Sequence, residues 1–143
     1  MDSKRIRRLL HVREVVRDVR RGELAQAEAV LDGARRAELE AAARVLDAER
    51  GLMELDGFVG VHDLEMKAMA IVEARDGELS AQAEVARTAS LREERAGELQ
   101  SSEFDLRALE RFGEKVAVAE RKDADRREQR DLDERSLQNR RRA

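Results

Sequence analysis

The sequence predicts an all-α protein: a long antiparallel two-helix coiled-coil hairpin with an overhanging C-terminal helix. Three observations predict it. Ala, Glu, Arg and Leu dominate the 143 residues, charged side chains make up 43% of them, and Pro is absent, the mix of long helices. Apolar residues recur at steps of three and four in both halves of the chain. Between the halves, a single stretch places an Asp-Gly pair three residues before another Gly. With three Phe and no Trp or Tyr, a compact core lacks bulky material, whereas a paired-helix seam buries only a narrow stripe. High charge also marks disordered chains. Here both signs are interleaved and the apolar spacing is helical, which favours order.

The first helix is expected over about residues 3–54, opened by Asp2 or Ser3 as a cap. Leu24, Ala27, Leu31, Ala34, Glu38, Ala41, Val45, Ala48, Leu52 and Leu55 step by three and four, and only Glu38 is polar. That is the pattern of a coiled-coil seam. Nearer the N-terminus, Leu9, Val12, Val16 and Val19 form an equivalent stripe one register away, joined by a stutter near Arg20. The bend is expected over about 55–62, at Asp56, Gly57 and Gly60, with Asp63 capping the second helix.

The second helix is expected over about 63–139. Leu64, Ala68 and Ile71 start its seam, which drifts through Leu79, Ala83 and Ala86 and continues at Leu99, Leu106, Leu109 and Val116. Two seams joined by a tight bend most simply zip together. Parallel dimerisation of one long helix, or a three-helix bundle broken near Gly97 or Gly113, are the alternatives. In the hairpin, Ser3 lies opposite a residue near Glu114, and the second helix outruns the first. The last 24 residues, from Glu120, include 16 charged ones. As a helix they would project about 35–40 Å beyond the paired region.

Charge is segregated. Residues 1–22 carry eight basic and three acidic groups, and 119–143 carry nine and seven. Segments 23–56 and 57–118 are each net acidic by five. A positive terminal end and a negative shaft orient the molecule toward an acidic partner.

Other chemistries are disfavoured. With no Cys there are no disulfides or Cys metal sites, and a reducing cytoplasm is the default location. No apolar run is long enough to insert in a membrane, and the N-terminus is too interrupted by Arg for a secretion signal. There is no G-x-x-x-x-G-K-[ST] phosphate loop. His11 and His62 are far apart, so no cofactor or metal is expected, and no Ser or Thr has a His beside it to activate it. Interleaved acids and the lack of stacking aromatics argue against nucleic acid. The protein is not expected to be an enzyme.

The segment Arg126-Arg127-Glu128-Gln129-Arg130-Asp131-Leu132-Asp133-Glu134 resembles the ending of the family of the flagellar export protein FliJ and its injectisome counterpart, the YscO class. Leu109-Glu110-Arg111 is similar to the approach to that ending. Leu9-Leu10-His11-Val12-Arg13, followed by Gly22-Glu23-Leu24-Ala25-Gln26-Ala27, is similar to the family's N-terminal helix. The resemblance implies a cytoplasmic protein, peripheral to the inner-membrane export apparatus of type III secretion. Such a protein acts as a central stalk. Its terminal end binds the hexameric export ATPase, its shaft binds the export-gate membrane protein, and export chaperones are further partners. The implied ATPase-contact residues are Arg126, Arg127, Glu128, Gln129, Asp131, Leu132 and Asp133. Charge alone adds Arg5, Arg8 and Arg13 at the same end. The family's gate-binding aromatics do not transfer, because the only aromatics here are Phe58, Phe104 and Phe112. A generic coiled-coil adaptor or escort chaperone, and a self-assembling coiled-coil dimer, are the competing expectations.

Overall fold

The computed structural model describes residues 2–55, 57 and 60–143. Among them the protein is all-α, with two long helices and no strand: α1, Ser3–Met53, and α2, Val61–Arg142. Both begin and end within a few residues of the expected positions. Asp2 caps α1, its Oδ1 accepting from the Arg5 N–H at 2.8 Å and its carbonyl from the Ile6 N–H at 3.2 Å. The α1 end closes with the Glu54 N–H donating to the Arg50 carbonyl. Gly57 then takes φ 81°, a left-handed conformation that favours glycine. Asp56 lies outside the described residues. Gly60, not Asp63, caps α2, since its carbonyl accepts from the Leu64 N–H at 3.2 Å. Asp63 instead adds negative charge to the first turn, where the helix dipole favours it.

The described residues sort into two compact units. Unit 1 holds residues 1–19 with 100–143, and unit 2 holds 20–99. Within unit 2 the two helix segments run antiparallel around the connection. Arg20 meets Glu98 at 2.9 Å, Glu28 meets Arg92 at 3.4 Å and Glu49 meets Arg75 at 3.0 Å. Unit 1 is antiparallel as well: Ser3 meets Glu120, Ile6 meets Gly113, and Arg13 meets Asp105 at 3.6 Å.

In α1 the stripe from Leu24 to Leu55 is buried or half-buried at each of its ten positions, with Ala27, Leu31, Ala34, Ala41 and Val45 as its core. The N-terminal stripe differs from expectation. Leu9, Val12 and Val19 are exposed and only Val16 of that stripe is half-buried; the other half-buried or buried positions here are Ser3, Ile6, Leu10 and Arg17. Those four residues fall on the same three-four step that reaches Arg20 and Leu24, so no stutter is needed. Arg17 and Arg20 can take such positions because a long stem lies along apolar surface while the guanidinium stays in water.

The drift expected in α2 is absent too. Half-buried or buried residues recur without interruption at Ile71, Ala74, Glu78, Ala81, Val85, Thr88, Arg92, Arg95, Leu99, Ser102, Leu106, Leu109, Gly113 and Val116. Leu79, Ala83 and Ala86 are exposed, as is everything from Val61 to Ala70, Leu64 and Ala68 included. α2 passes Gly97 and Gly113 unbroken, which removes the three-helix alternative. The one buried polar residue among those described, Thr88, donates its hydroxyl to the Glu84 carbonyl at 2.8 Å, so its burial leaves no unmet hydrogen bond.

Candidate interaction surfaces

The first turn of α1 has no acidic residue of its own, and its leading N–H groups lack partners within the helix. A carboxylate from α2 supplies one: the Ser3 N–H donates to Glu120 Oε1 at 2.9 Å. Ser3 was expected opposite a residue near Glu114. Side chains on a helix lean toward its N-terminus, so a long Glu reaches back along α2 to meet a residue paired at a lower level. Hydrogen bonds from the Ser3 side chain and then its backbone hold the Glu120 carboxyl below the usual glutamate range.

Beside this contact runs a groove of about 670 Å³, floored by Ile6, Leu10, Gly113 and Ala117 and rimmed by Arg7, Glu110, Glu114 and Arg121. Ile6 is 2% exposed because Gly113 lets it approach. A Cβ there would sit 3.0 Å from Ile6 Cγ2.

Unit 1 contains all ten residues singled out as partner contacts. Every residue from Val118 to Ala143 is exposed, and α2 stays helical to Arg142. Arg126 reaches Asp123 at 3.9 Å, and Gln129 Nε2 donates to Asp133 Oδ1 at 3.0 Å. These one-turn contacts stabilise a solvated helix by a few tenths of a kcal/mol each. Arg127, Glu128, Asp131 and Leu132 lie along the same exposed stretch. At the other end of the chain Arg5 and Arg8 are exposed, while Arg13 is paired with Asp105. Of the eight seam residues, Leu31, Val45 and Leu106 are buried, and Leu24, Leu52, Leu99, Leu109 and Val116 are half-buried.

Unit 2 holds a polar feature that the apolar pattern gave no sign of. Arg20 Nη1 lies 3.1 Å from Glu23 and 2.9 Å from Glu98, and Arg95 Nη1 lies 3.2 Å from Glu23 and 3.1 Å from Glu98. Two cations and two anions thus alternate in a closed ring. Glu98 raises the pKa of Arg95 further above its ordinary value. The sequence carries only a weak signal: Arg-x-x-Glu occurs at 20–23 and 95–98 but also at 35–38, 75–78, 107–110 and 111–114, and only the antiparallel pairing selects the two copies that meet.

Among the described residues no group of three or more His, Cys, Asp or Glu could hold a metal ion. No described helix is long and apolar enough to cross a membrane. Comparison with protein-family models, with curated proteins and with solved structures finds no match to this chain.

Proposed function

We propose that the protein is the central-stalk or coupling component of a type III protein export apparatus. Its two helices pack as an antiparallel coiled coil, and the C-terminal part of α2 overhangs its partner. The ends carried by unit 1 bind the hexameric export ATPase, and the remainder of the chain contacts the export gate. The observation that supports this most is an unbroken helix whose last 25 residues, Val118 to Arg142, are all exposed and heavily charged. A helix without an apolar stripe is not held by burial against its own chain. What suits it is a polar partner such as the loops lining a ring. The likeness of residues 126–134 to the ending of the stalk family adds the identity of that ring. The three-four burial, unbroken in unit 2 along α1 and from Ile71 on α2, and broken in unit 1 only at Arg13 among the described residues, favours coiled-coil packing.

Mixing the protein with an export ATPase tests the reading. The full chain should accelerate ATP hydrolysis, and a chain ended after Ala124, which keeps Glu120 and the groove, should bind weakly and fail to stimulate. Export in cells should fail with it. If the shortened chain binds and stimulates like the full one, the stalk reading is wrong and an adaptor acting through unit 2 replaces it.

A further inference from the structure

With the buried positions named a and d, Ser3 and Ile71 are both a, and every other residue follows. In unit 1 this register separates two sides of the helix pair. One side carries the groove beside Ile6, with Arg7, Glu110, Glu114 and Arg121 on its rim, a balanced set of charges. The other side is set by the g and c positions. In α1 these are Arg5, Leu9, Val12, Val16 and Val19, and in α2 they include Ala108, Phe112, Lys115, Ala119 and Lys122. Leu9 is 40% exposed, Val12 57%, Val19 54% and Phe112 46%. Leu9, Val12, Val16 and Val19 keep a strict three-four step of which the pairing of α1 with α2 half-buries Val16 and leaves the other three exposed. A helix with a second apolar stripe presents a surface for a third helix.

The charge around that stripe specifies the occupant. Arg5, Arg8 and Lys115 lie at the Leu9 end of it, Lys122 follows further along α2 on the same side, and none of the four takes part in an ion pair among the described residues. The nearby acid Asp105 is already paired with Arg13. We propose that this side of unit 1 receives an amphipathic helix with acidic flanks from a partner protein. Its apolar stripe would cover Leu9, Val12, Val16 and Phe112, and its carboxylates would meet the four cations. A symmetric contact with a second copy is disfavoured, because it would set this cationic border against itself. Arg5 and Arg8 are shared with the proposed ATPase contact, but the surface itself needs no ring.

Two synthetic helical peptides test it against the full chain by titration calorimetry. Both carry Leu at a and d positions; one has Glu at the flanking positions and the other Lys. The Glu peptide should bind, more weakly as salt rises, and the Lys peptide should not. Val12→Glu, a change at an exposed site, should weaken binding at least about tenfold with an unaltered circular dichroism spectrum. The pair Lys115→Glu and Lys122→Glu should reverse the preference between peptides. Leu79→Glu, at an exposed apolar site in unit 2, should leave binding unchanged. Equal binding of both peptides, insensitivity to Val12→Glu, or sensitivity to Leu79→Glu would overturn the proposal. So would a dimer in sedimentation that Val12→Glu abolishes, which would give this face to a second copy.

Discussion

In unit 2, α1 buries Ala27, Leu31, Ala34, Ala41 and Val45 in succession, whereas among the described residues of unit 1 only Ile6 on α1 and Leu106 on α2 reach comparable burial. Unit 2 interleaves small residues with an occasional Leu or Val and seals one edge with the Arg20–Glu23–Arg95–Glu98 ring. Unit 1 closes around a large side chain set against a glycine, ties its end with a single carboxylate, and leaves several Val, Leu and Phe in solvent. One spacing therefore serves two purposes. Spread over many positions it makes a pairing that no single residue controls. Concentrated on one or two it makes a pairing that depends on them and leaves apolar surface for other contacts.

The sharpest way to break this contrast is truncation of the large buried residues. Leu106→Ala should cost about 2–5 kcal/mol and raise amide exchange chiefly in 3–19 and 100–120. Leu31→Ala should cost less, toward the lower end of that range, because neighbouring positions share the burial, and should raise exchange within 20–99. Equal loss of protection throughout the chain in both variants would show that the units do not differ in their dependence on single residues.

The glycines sharpen it next. Gly77 in unit 2 has open space where a Cβ would go, so Gly77→Ala should raise stability by about 1 kcal/mol through helix propensity alone. Gly113→Ala gains the same propensity but crowds the Ile6 methyl, and overpacking of this kind costs about 1–3 kcal/mol. Urea denaturation should therefore show the two substitutions acting in opposite directions.

The ionic ring should matter less. Its four side chains are each about one-third exposed, and pairs in such surroundings contribute about 1 kcal/mol or less. Arg95→Ala should destabilise by that amount at low salt and by less at high salt. Replacing the whole ring, Arg20 and Arg95 with Leu and Glu23 and Glu98 with Gln, should restore stability, since apolar residues at seam positions can replace ion pairs when no charge is left unpaired.

The smallest effect is the response of unit 1 to acid. The folded pKa of Glu120 is depressed below 4.5, so its contribution is fully present above that unfolded value. It should fade as pH falls through the lower folded value. Glu120→Gln should remove this pH dependence from the amide protection of the first turn of α1, while residues 20–99 respond no differently from the parent.

Much of this was readable in advance. The Leu24–Leu55 stripe could be followed residue by residue because only Glu38 interrupts it, and the lack of Pro together with Asp56-Gly57 located the connection. The seam of α2 was harder to see, because Glu78, Thr88, Arg92, Arg95 and Ser102 occupy five of its positions. A search for apolar residues counts each of these as a break. The N-terminal stripe misled for the opposite reason: Leu9, Val12, Val16 and Val19 are apolar at correct spacing, yet Leu9, Val12 and Val19 face solvent.

The amino-acid sequence by itself determined that the chain is helical, where the helices stop, and that residues beyond about Val118 have no apolar stripe to bury. Those outcomes follow from local propensity and composition, which need no partner. The pairing decided which of two candidate stripes at the N-terminus is used, and which Arg and Glu meet in a ring. It also decided that Gly113 holds Ile6. Each of those depends on what stands opposite. A helix can bury only the face that its neighbour's register leaves open, so the longer, better-formed stripe of α1 carries its register through to Ser3.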